Sequence, residues 1–217
     1  MSSLDFEVLG ARALNYAAIP TIMFKIRLTE ASGYRVHACA LRAQIMIEPQ
    51  KRNYNSSEHE RLFELFDAPK RWGDTLKPFL WTHTGIVVPS FDGTTEIDLP
   101  MTCSYDFEVA GNKYLHNVRD GDIPLQFLFA GTFFTNGDND SPNHGFAAEP
   151  IGWNKDRSFK MPAKVWHDAM DMYFPNSGWI KAHKETIDLL TKYKVSKALP
   201  TWEDTIEALL KQAGVDT

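Results

Sequence analysis

The most apolar stretch of the chain, residues 122–135, has the alternation of a β-strand. Alternate positions from 123 to 133 place apolar side chains on one face. The opposite face is also largely apolar, through Leu128, Ala130 and Phe134. This two-sided pattern predicts a central strand that is covered on both faces, with Gly131 at the close approach of another segment.

Alternation of apolar and polar residues also marks the first half of the chain as mainly β-strand. Residues 21–28 and 94–105 show it most clearly, and the second of these predicts one core face and one wet face. Residues 34–48 return from a turn, but their apolar phase changes on the way. That change predicts a β-bulge near residues 39–41, or burial of both faces.

Helical spacing is confined to short segments and to the last third of the chain. Residues 57–67, which begin with a capping-box pattern of Ser57 and Glu60, suit a short helix, and 107–118 favour another. From Pro162 onward the apolar period becomes helical and predicts three helices. The third opens with a second capping box, Thr201 and Asp204.

Strands first and helices last predict the α+β class. The expected architecture is a mainly antiparallel β-sandwich, immunoglobulin-like in architecture, with C-terminal α-helices packed on it. We expect residues 1–154 to form the sandwich with short inserted helices, and residues 155–217 to form the helical segment packed on it. A chain of 217 residues is long enough to bury such a core as one compact unit.

Charge and composition remove several classes of partner. The formal net charge is −5 and the pI about 5.8, so the basic surface of a nucleic-acid or membrane-surface binder is absent. The first residues have no signal-peptide pattern, and no window approaches the roughly 18 apolar residues of a membrane span. Two cysteines fit reduced thiols better than a disulfide framework. We therefore expect a cytoplasmic protein.

The acidic residues are unevenly distributed. No Lys or Arg lies between Lys77 and Lys113, although five carboxylates do. They are Asp92, Glu96, Asp98, Asp106 and Glu108. A local acidic face of this kind could dock a protein partner, although a solvated sheet face is its commoner explanation.

The common catalytic motifs are missing. The chain contains no nucleophile elbow, phosphate-binding glycine loop, dinucleotide fingerprint or zinc-binding HExxH helix. Glu96 and Asp98 share a strand face and could act as an acid–base pair or bind a hard cation, but on a wet face such residues more often only add charge. The sequence therefore favours a protein that is not an enzyme.

A metal site has weak support. His37 and Cys39 lie two apart on a strand, a spacing that a transition metal could bridge, and His144 lies in a polar loop. A zinc site needs further ligands that the spacing does not supply. A core thiol beside a hydrogen-bonded histidine is the simpler interpretation, and no cofactor is predicted.

Five blocks of sequence, distributed over nearly the whole chain, carry a family resemblance. They are Arg71–His83, Thr95–Val109, the apolar stretch 122–135, Tyr173–Trp179 and Ala198–Asp204. Together they resemble an uncharacterised bacterial protein family encoded in actinobacterial-type nickel-iron hydrogenase gene clusters. The family has no established catalytic or binding residues, so no residue roles can be transferred.

The resemblance implies a cytoplasmic accessory protein that assists assembly, maturation or partnering of a nickel-iron hydrogenase. Its partner would be a hydrogenase subunit or a maturation factor. Two alternatives remain open at this point: a protein that handles a metal or cofactor, and an unrecognised hydrolase whose pocket joins the carboxylates of residues 96–106 to a histidine.

Overall fold

The structure is a computed structural model that describes residues 4–103, 109–136, 146–152, 154–175, 177 and 181–215. The strands are β1 (Leu4–Ala13), β2 (Thr21–Glu30), β3 (Val36–Ile47), β4 (Phe79–Val88), β5 (Thr94–Thr102), β6 (Asp122–Asn136), β7 (Phe146–Pro150) and β8 (Asp156–Pro162). The helices are α1 (Ser56–Arg61), α2 (Phe63–Phe66), α3 (Trp72–Thr75), α4 (Ala110–Asn117), α5 (Ala163–Asp171), α6 (Lys184–Ser196) and α7 (Trp202–Gln212).

The strands form two antiparallel sheets. A three-stranded sheet has the order β1-β2-β5, and a five-stranded sheet has the order β4-β3-β6-β7 with β8 also paired to β6. Because β3 occupies one edge of β6, β7 and β8 lie end to end along the other, opposite residues 132–136 and 122–128. With α5 packed against β1 and β2, the arrangement confirms the predicted α+β sandwich class.

Aromatic side chains join the two sheets across the core. The rings of Phe6 and Phe129 stack with centroids 4.5 Å apart, and Phe24 meets Phe127 edge-on at 5.0 Å. Each pair takes one ring from the three-stranded sheet and one from β6. The inward face of β6 is therefore the centre of the core, as the alternation predicts.

Gly131 of β6 lies against the backbone of β3. Its φ is +140°, and a Cβ atom at this position would lie 2.0 Å from the backbone oxygen of Ala40. Only glycine fits such a contact. The predicted close approach at Gly131 is confirmed.

The expected cover over the second face of β6 is absent within the described residues. Leu128 is half-buried, Ala130 is exposed, and Phe134 exposes 36% of its surface. The prediction of a strand covered on both faces is wrong for this outward side. The apolar character of these residues thus needs an explanation other than the core.

Three local details differ from the sequence expectations. The bulge in β3 lies at His37, which has no register partner in β6, and not at residues 39–41. The capping box of α1 joins Asn55 and Glu58, two residues before the predicted pair, because the buried Glu58 carboxylate accepts from the Asn55 backbone N–H. Residues 156–162 form a strand where a helical segment was expected, since alternate side chains face the core.

The chain divides into two compact units, Met1–Gly178 and Trp179–Thr217. The first contains both sheets and α1 to α5, and α5 follows Pro162 as predicted. The second contains α6 and α7, and Thr201 forms the predicted capping box with Asp204. A hydrogen bond of 2.9 Å from Gln212 Nε2 to the Tyr193 hydroxyl connects these two helices.

Candidate functional site

The outward side chains of β4, β3 and β6 form a surface of small and apolar residues, which we call the apolar face. Strand register identifies its members, because residues paired across the ladders point to the same side. They are Leu80, His83, Gly85 and Val87 on β4, Ala38, Ala40, Arg42, Gln44 and Met46 on β3, and Gln126, Leu128, Ala130, Thr132 and Phe134 on β6. This surface lies opposite the core.

Large apolar side chains on this face are open to solvent. Val87 exposes 70% of its surface and Leu80 43%. Ala40, which is paired with Val87, and Ala130 on β6 are exposed as well. Single exposed apolar residues are ordinary, but a contiguous group on one sheet face is typical of an interaction surface.

Arg42 carries the permanent positive charge among the outward residues of β4, β3 and β6. It lies between Gly85 on β4 and Ala130 on β6 in the register of the sheet. Its side chain is exposed and makes no hydrogen bond or ion pair with any residue that the structure describes. A guanidinium group without a partner can bind a carboxylate through two parallel hydrogen bonds.

Two concavities meet at Arg42. The larger has a volume of about 630 Å³, and its outward-facing lining includes Arg42, Gln44, His83, Gly85, Leu128 and Ala130. The smaller, of about 310 Å³, lies toward Ala40 and Val87. Both are lined by Arg42 and Gly85, so the guanidinium stem separates two apolar depressions.

Gly85 keeps the space beside Arg42 open. A Cβ atom at residue 85 would lie 2.9 Å from the Leu41 backbone oxygen and 3.5 Å from Arg42 Cγ. Any larger residue would have to displace the backbone or the arginine stem. The glycine therefore contributes to the shape of the site without contributing a functional group.

The predicted acidic residues occupy a different surface, the outward side of the three-stranded sheet, which we call the charged face. Glu96 accepts from Arg27 at 2.9 Å, and Asp98 accepts from Arg12 at 3.1 Å. Lys25 lies 3.7 Å from Glu96. The hydrogen bond from Arg27 to Glu96 is the main cause that raises the pKa of Arg27.

These ion pairs reduce the negative charge of the acidic residues that the sequence offers as partner-binding candidates. The described carboxylates at 96 and 98 are neutralised by cations from β1 and β2. Asp92 lies exposed in the turn before β5, whereas Asp106 and Glu108 lie outside the described residues. A role of this group in partner binding stays a prediction.

The metal candidates do not form a described cluster. Cys39 is fully buried, and burial raises the pKa of its thiol to about 11. His37 is half-buried at the bulge, and His144 lies outside the described residues. Across the described ranges, no three His, Cys, Asp or Glu side chains are placed to hold a metal ion.

A buried polar group holds the segment between β3 and β4 in place. Arg52 Nη2 donates to Glu58 Oε1 at 2.6 Å and to the Asp120 backbone oxygen at 2.7 Å. The Tyr54 and Tyr114 hydroxyls lie 2.8 Å apart, and burial raises the pKa of both. Because Arg52 binds Glu58 of α1 and Tyr54 binds Tyr114 of α4, both helices are anchored to the segment that follows β3.

Sequence pattern alone does not reveal the apolar face as a site. The alternation of residues 41–48 places Arg42 and Gln44 at outward positions, and Ala130 lies on the apolar second face of residues 122–135. The signal lay in combining them, because strand pairing places these residues side by side. That pairing joins segments almost 90 residues apart and is not visible in either segment alone.

Comparison with known proteins identifies a family and little more. Residues 1–217 match the family of unknown function DUF6084, and the chain belongs to that family. No curated protein matches the chain. A crystal structure from Bordetella pertussis that carries the name ApaA protein is similar at 14% identity, covering 73% of this chain and 94% of that one, with a TM-score of 0.21. No described helix is both long and apolar enough to cross a membrane.

Proposed function

We propose that this DUF6084 protein is a non-catalytic binding protein that docks a protein partner on its apolar face. One observation carries the proposal: the second side of the central strand β6 is largely apolar in sequence, yet Ala130 and Phe134 on it are exposed and Leu128 is only half-buried. Exposed apolar surface of this extent is costly in water unless a partner covers it. Arg42 supplies a polar anchor of the kind that interfaces favour.

The chemistry of the described residues supports binding over catalysis. The carboxylates of Glu96 and Asp98 are held by arginines and a lysine, so the hydrolase alternative has no free acid–base pair there. The Cys39 thiol has a raised pKa and is buried, which disfavours nucleophilic attack. No observation on the described residues favours metal or cofactor handling.

The sequence resemblance supplies the biological context of the proposal. We propose that the protein acts in the cytoplasm, where it assists assembly, maturation or partnering of a nickel-iron hydrogenase. The docked partner would be a hydrogenase subunit or a maturation factor.

A capture experiment with purified hydrogenase subunits and maturation factors tests the proposal. We expect the full-length protein to retain one of them and Val87→Glu to lose it, because a buried carboxylate would replace an apolar contact. Val87 is 70% exposed on an edge strand, so this variant should fold. Thr102→Glu adds the same charge to the exposed side of β5 and should retain the partner.

Two results would contradict the proposal. One is failure of every hydrogenase component to bind, together with unchanged hydrogenase activity in a strain that lacks the gene. The other is equal loss of the partner with Val87→Glu and Thr102→Glu, which would indicate a non-specific effect of the added charge and not docking on the apolar face.

A further inference from the structure

We infer that the apolar face recognises an extended segment in which one Asp or Glu side chain binds Arg42 and apolar side chains two positions before and after it fill the two concavities. This inference rests on the proposed function and specifies its partner. The structural basis is the position of one guanidinium, unpaired among the described residues, between two apolar depressions.

The polar groups of the site favour an anion. Arg42 is permanently charged, and the exposed His83 ring makes no side-chain hydrogen bond with a described residue. The nearest described outward carboxylate on this sheet, Asp156, lies two strands away from β3 and accepts a hydrogen bond from Gln126 at 3.1 Å. No described acid on the sheet therefore satisfies Arg42, and a carboxylate of the partner can.

The surroundings of Arg42 would strengthen that interaction. Ala40, Gly85, Ala130 and Leu128 bring no competing charge. When a partner covers these residues, water leaves the ion pair and the local dielectric constant falls. A bidentate hydrogen bond between Arg42 and a carboxylate of the partner would then contribute both affinity and orientation.

The spacing of the concavities favours an extended chain. Each concavity lies on one side of Arg42 along β3, one toward Gln44 and the other toward Ala40. Same-face side chains of a strand recur about every 6.6 Å, so residues two positions apart in a bound segment match residues two positions apart in β3. The expected pattern is apolar, any residue, acidic, any residue, apolar.

The same geometry favours an internal acidic residue over a chain terminus or a free small anion. A C-terminal carboxylate at Arg42 would have chain on only one side and would leave one concavity empty. A free anion would leave both empty and would bury none of the exposed surface of Val87. The apolar area on both sides of Arg42 therefore favours an internal peptide segment over a chain terminus or a free anion.

Selection from a phage library of random internal nine-residue peptides, followed by affinity measurement on synthetic peptides, tests the inference with the full-length protein. We expect the selected peptides to share an acidic residue with apolar residues at −2 and +2. Arg42→Gln should weaken binding about tenfold or more, and replacing the peptide acid by its amide should do the same. Combining both changes should add little, because each removes the same ion pair.

Control variants separate the outcomes. Arg35→Gln alters an exposed arginine outside the strands and should leave peptide affinity unchanged. Arg42→Lys should retain part of the peptide affinity, because lysine keeps the positive charge but cannot donate two parallel hydrogen bonds to the carboxylate.

Several results would overturn the inference. One is selection of no peptide, or of peptides without an acidic residue or with the acid only at a free terminus. Another is binding that is insensitive to Arg42→Gln. If Val87→Glu still abolishes capture of the hydrogenase component while Arg42→Gln does not, the inference fails and the proposed function stands.

Discussion

The two outer faces of the sandwich differ in whether their charged side chains have partners within the described chain. On the charged face, Arg27 holds Glu7 at 2.8 Å and Glu96 at 2.9 Å, so neighbouring strands neutralise one another. On the apolar face, Arg42 has no described partner and Val87 is largely exposed. The described charges of one face pair with one another, whereas the other face leaves Arg42 available for the partner that we propose.

The difference shows that acidic residues in sequence are a poor guide to an acidic surface. The window that contains Glu96 and Asp98 has no basic residue of its own, yet β1 and β2 place Arg12, Lys25 and Arg27 beside it. Charge neutralisation across a sheet is a property of pairing. A lone cation among apolar residues is the more informative signal for a binding face.

The largest expected effect is a difference in stability between two glycine-to-alanine substitutions, one in each sheet. Gly131→Ala should lower the free energy of unfolding by roughly 3 kcal/mol or more, because its Cβ would overlap the Ala40 backbone oxygen at a positive φ. Gly10→Ala in β1 is the matched control, since nothing lies within 4 Å of its Cβ position. Denaturant unfolding measures both, and equal destabilisation would show that the two sheets do not differ in this way.

The next largest effect concerns the reactivity of the two buried thiols, which should be alike on the inward sides of the two sheets. Burial raises the pKa of Cys39 to about 11 and that of Cys103, which follows β5, to about 12. A pKa of about 11 in place of 9.0 reduces the Cys39 thiolate fraction at pH 8 roughly 100-fold. A disulfide reagent should therefore label both thiols slowly in the folded protein and rapidly after denaturation. Rapid labelling of one thiol alone would indicate that one sheet opens separately.

The same two thiols give a pH dependence of stability. Below pH 9 both thiols are protonated in the folded and unfolded chain, so they contribute no pH dependence to the free energy of unfolding. As the pH rises from about 9 through about 11, thiols of the unfolded chain ionise first and the folded state loses relative stability. Replacing Cys39 with alanine should reduce this slope, as measured by unfolding at pH 8 and pH 10.

The smallest expected effect tests the pairs of the charged face. A double-mutant cycle on Arg27→Ala and Glu96→Ala should give a coupling of about 0.2–1 kcal/mol, because both side chains remain about two-fifths exposed. The coupling should decrease in 1 M salt, where charges are screened within about 3 Å. A coupling that is large and insensitive to salt would contradict the description of these pairs as solvent-exposed.

The elements that depend on local pattern could be predicted from the sequence. The alternation of residues 94–102, the capping box of Thr201 and Asp204, and the helix after Pro162 are all fixed by neighbours in the chain. The position of Gly131 against β3 followed from one glycine in an apolar strand. Periodicity of 2.0 or 3.6 residues carries this information.

The features that depend on pairing could not be predicted in the same way. The bulge at His37 is set by the register with β6, almost 100 residues later. The strand at Asp156–Pro162 showed alternation, but helical spacing immediately after it masked the signal. The candidate site combines both difficulties, since Arg42, Gly85 and Ala130 come from three strands that only the folded sheet brings together.

The strand order also has a consequence for synthesis on the ribosome. All three strands of the β1-β2-β5 sheet are present once residue 102 has emerged, whereas β6 begins at Asp122. Until β6 arrives, the opposing sheet consists of β3 and β4 alone, and Phe24 lacks its aromatic partner Phe127. The nascent chain therefore passes through a stage in which its future core is accessible to chaperones, and the arrival of β6 ends that stage.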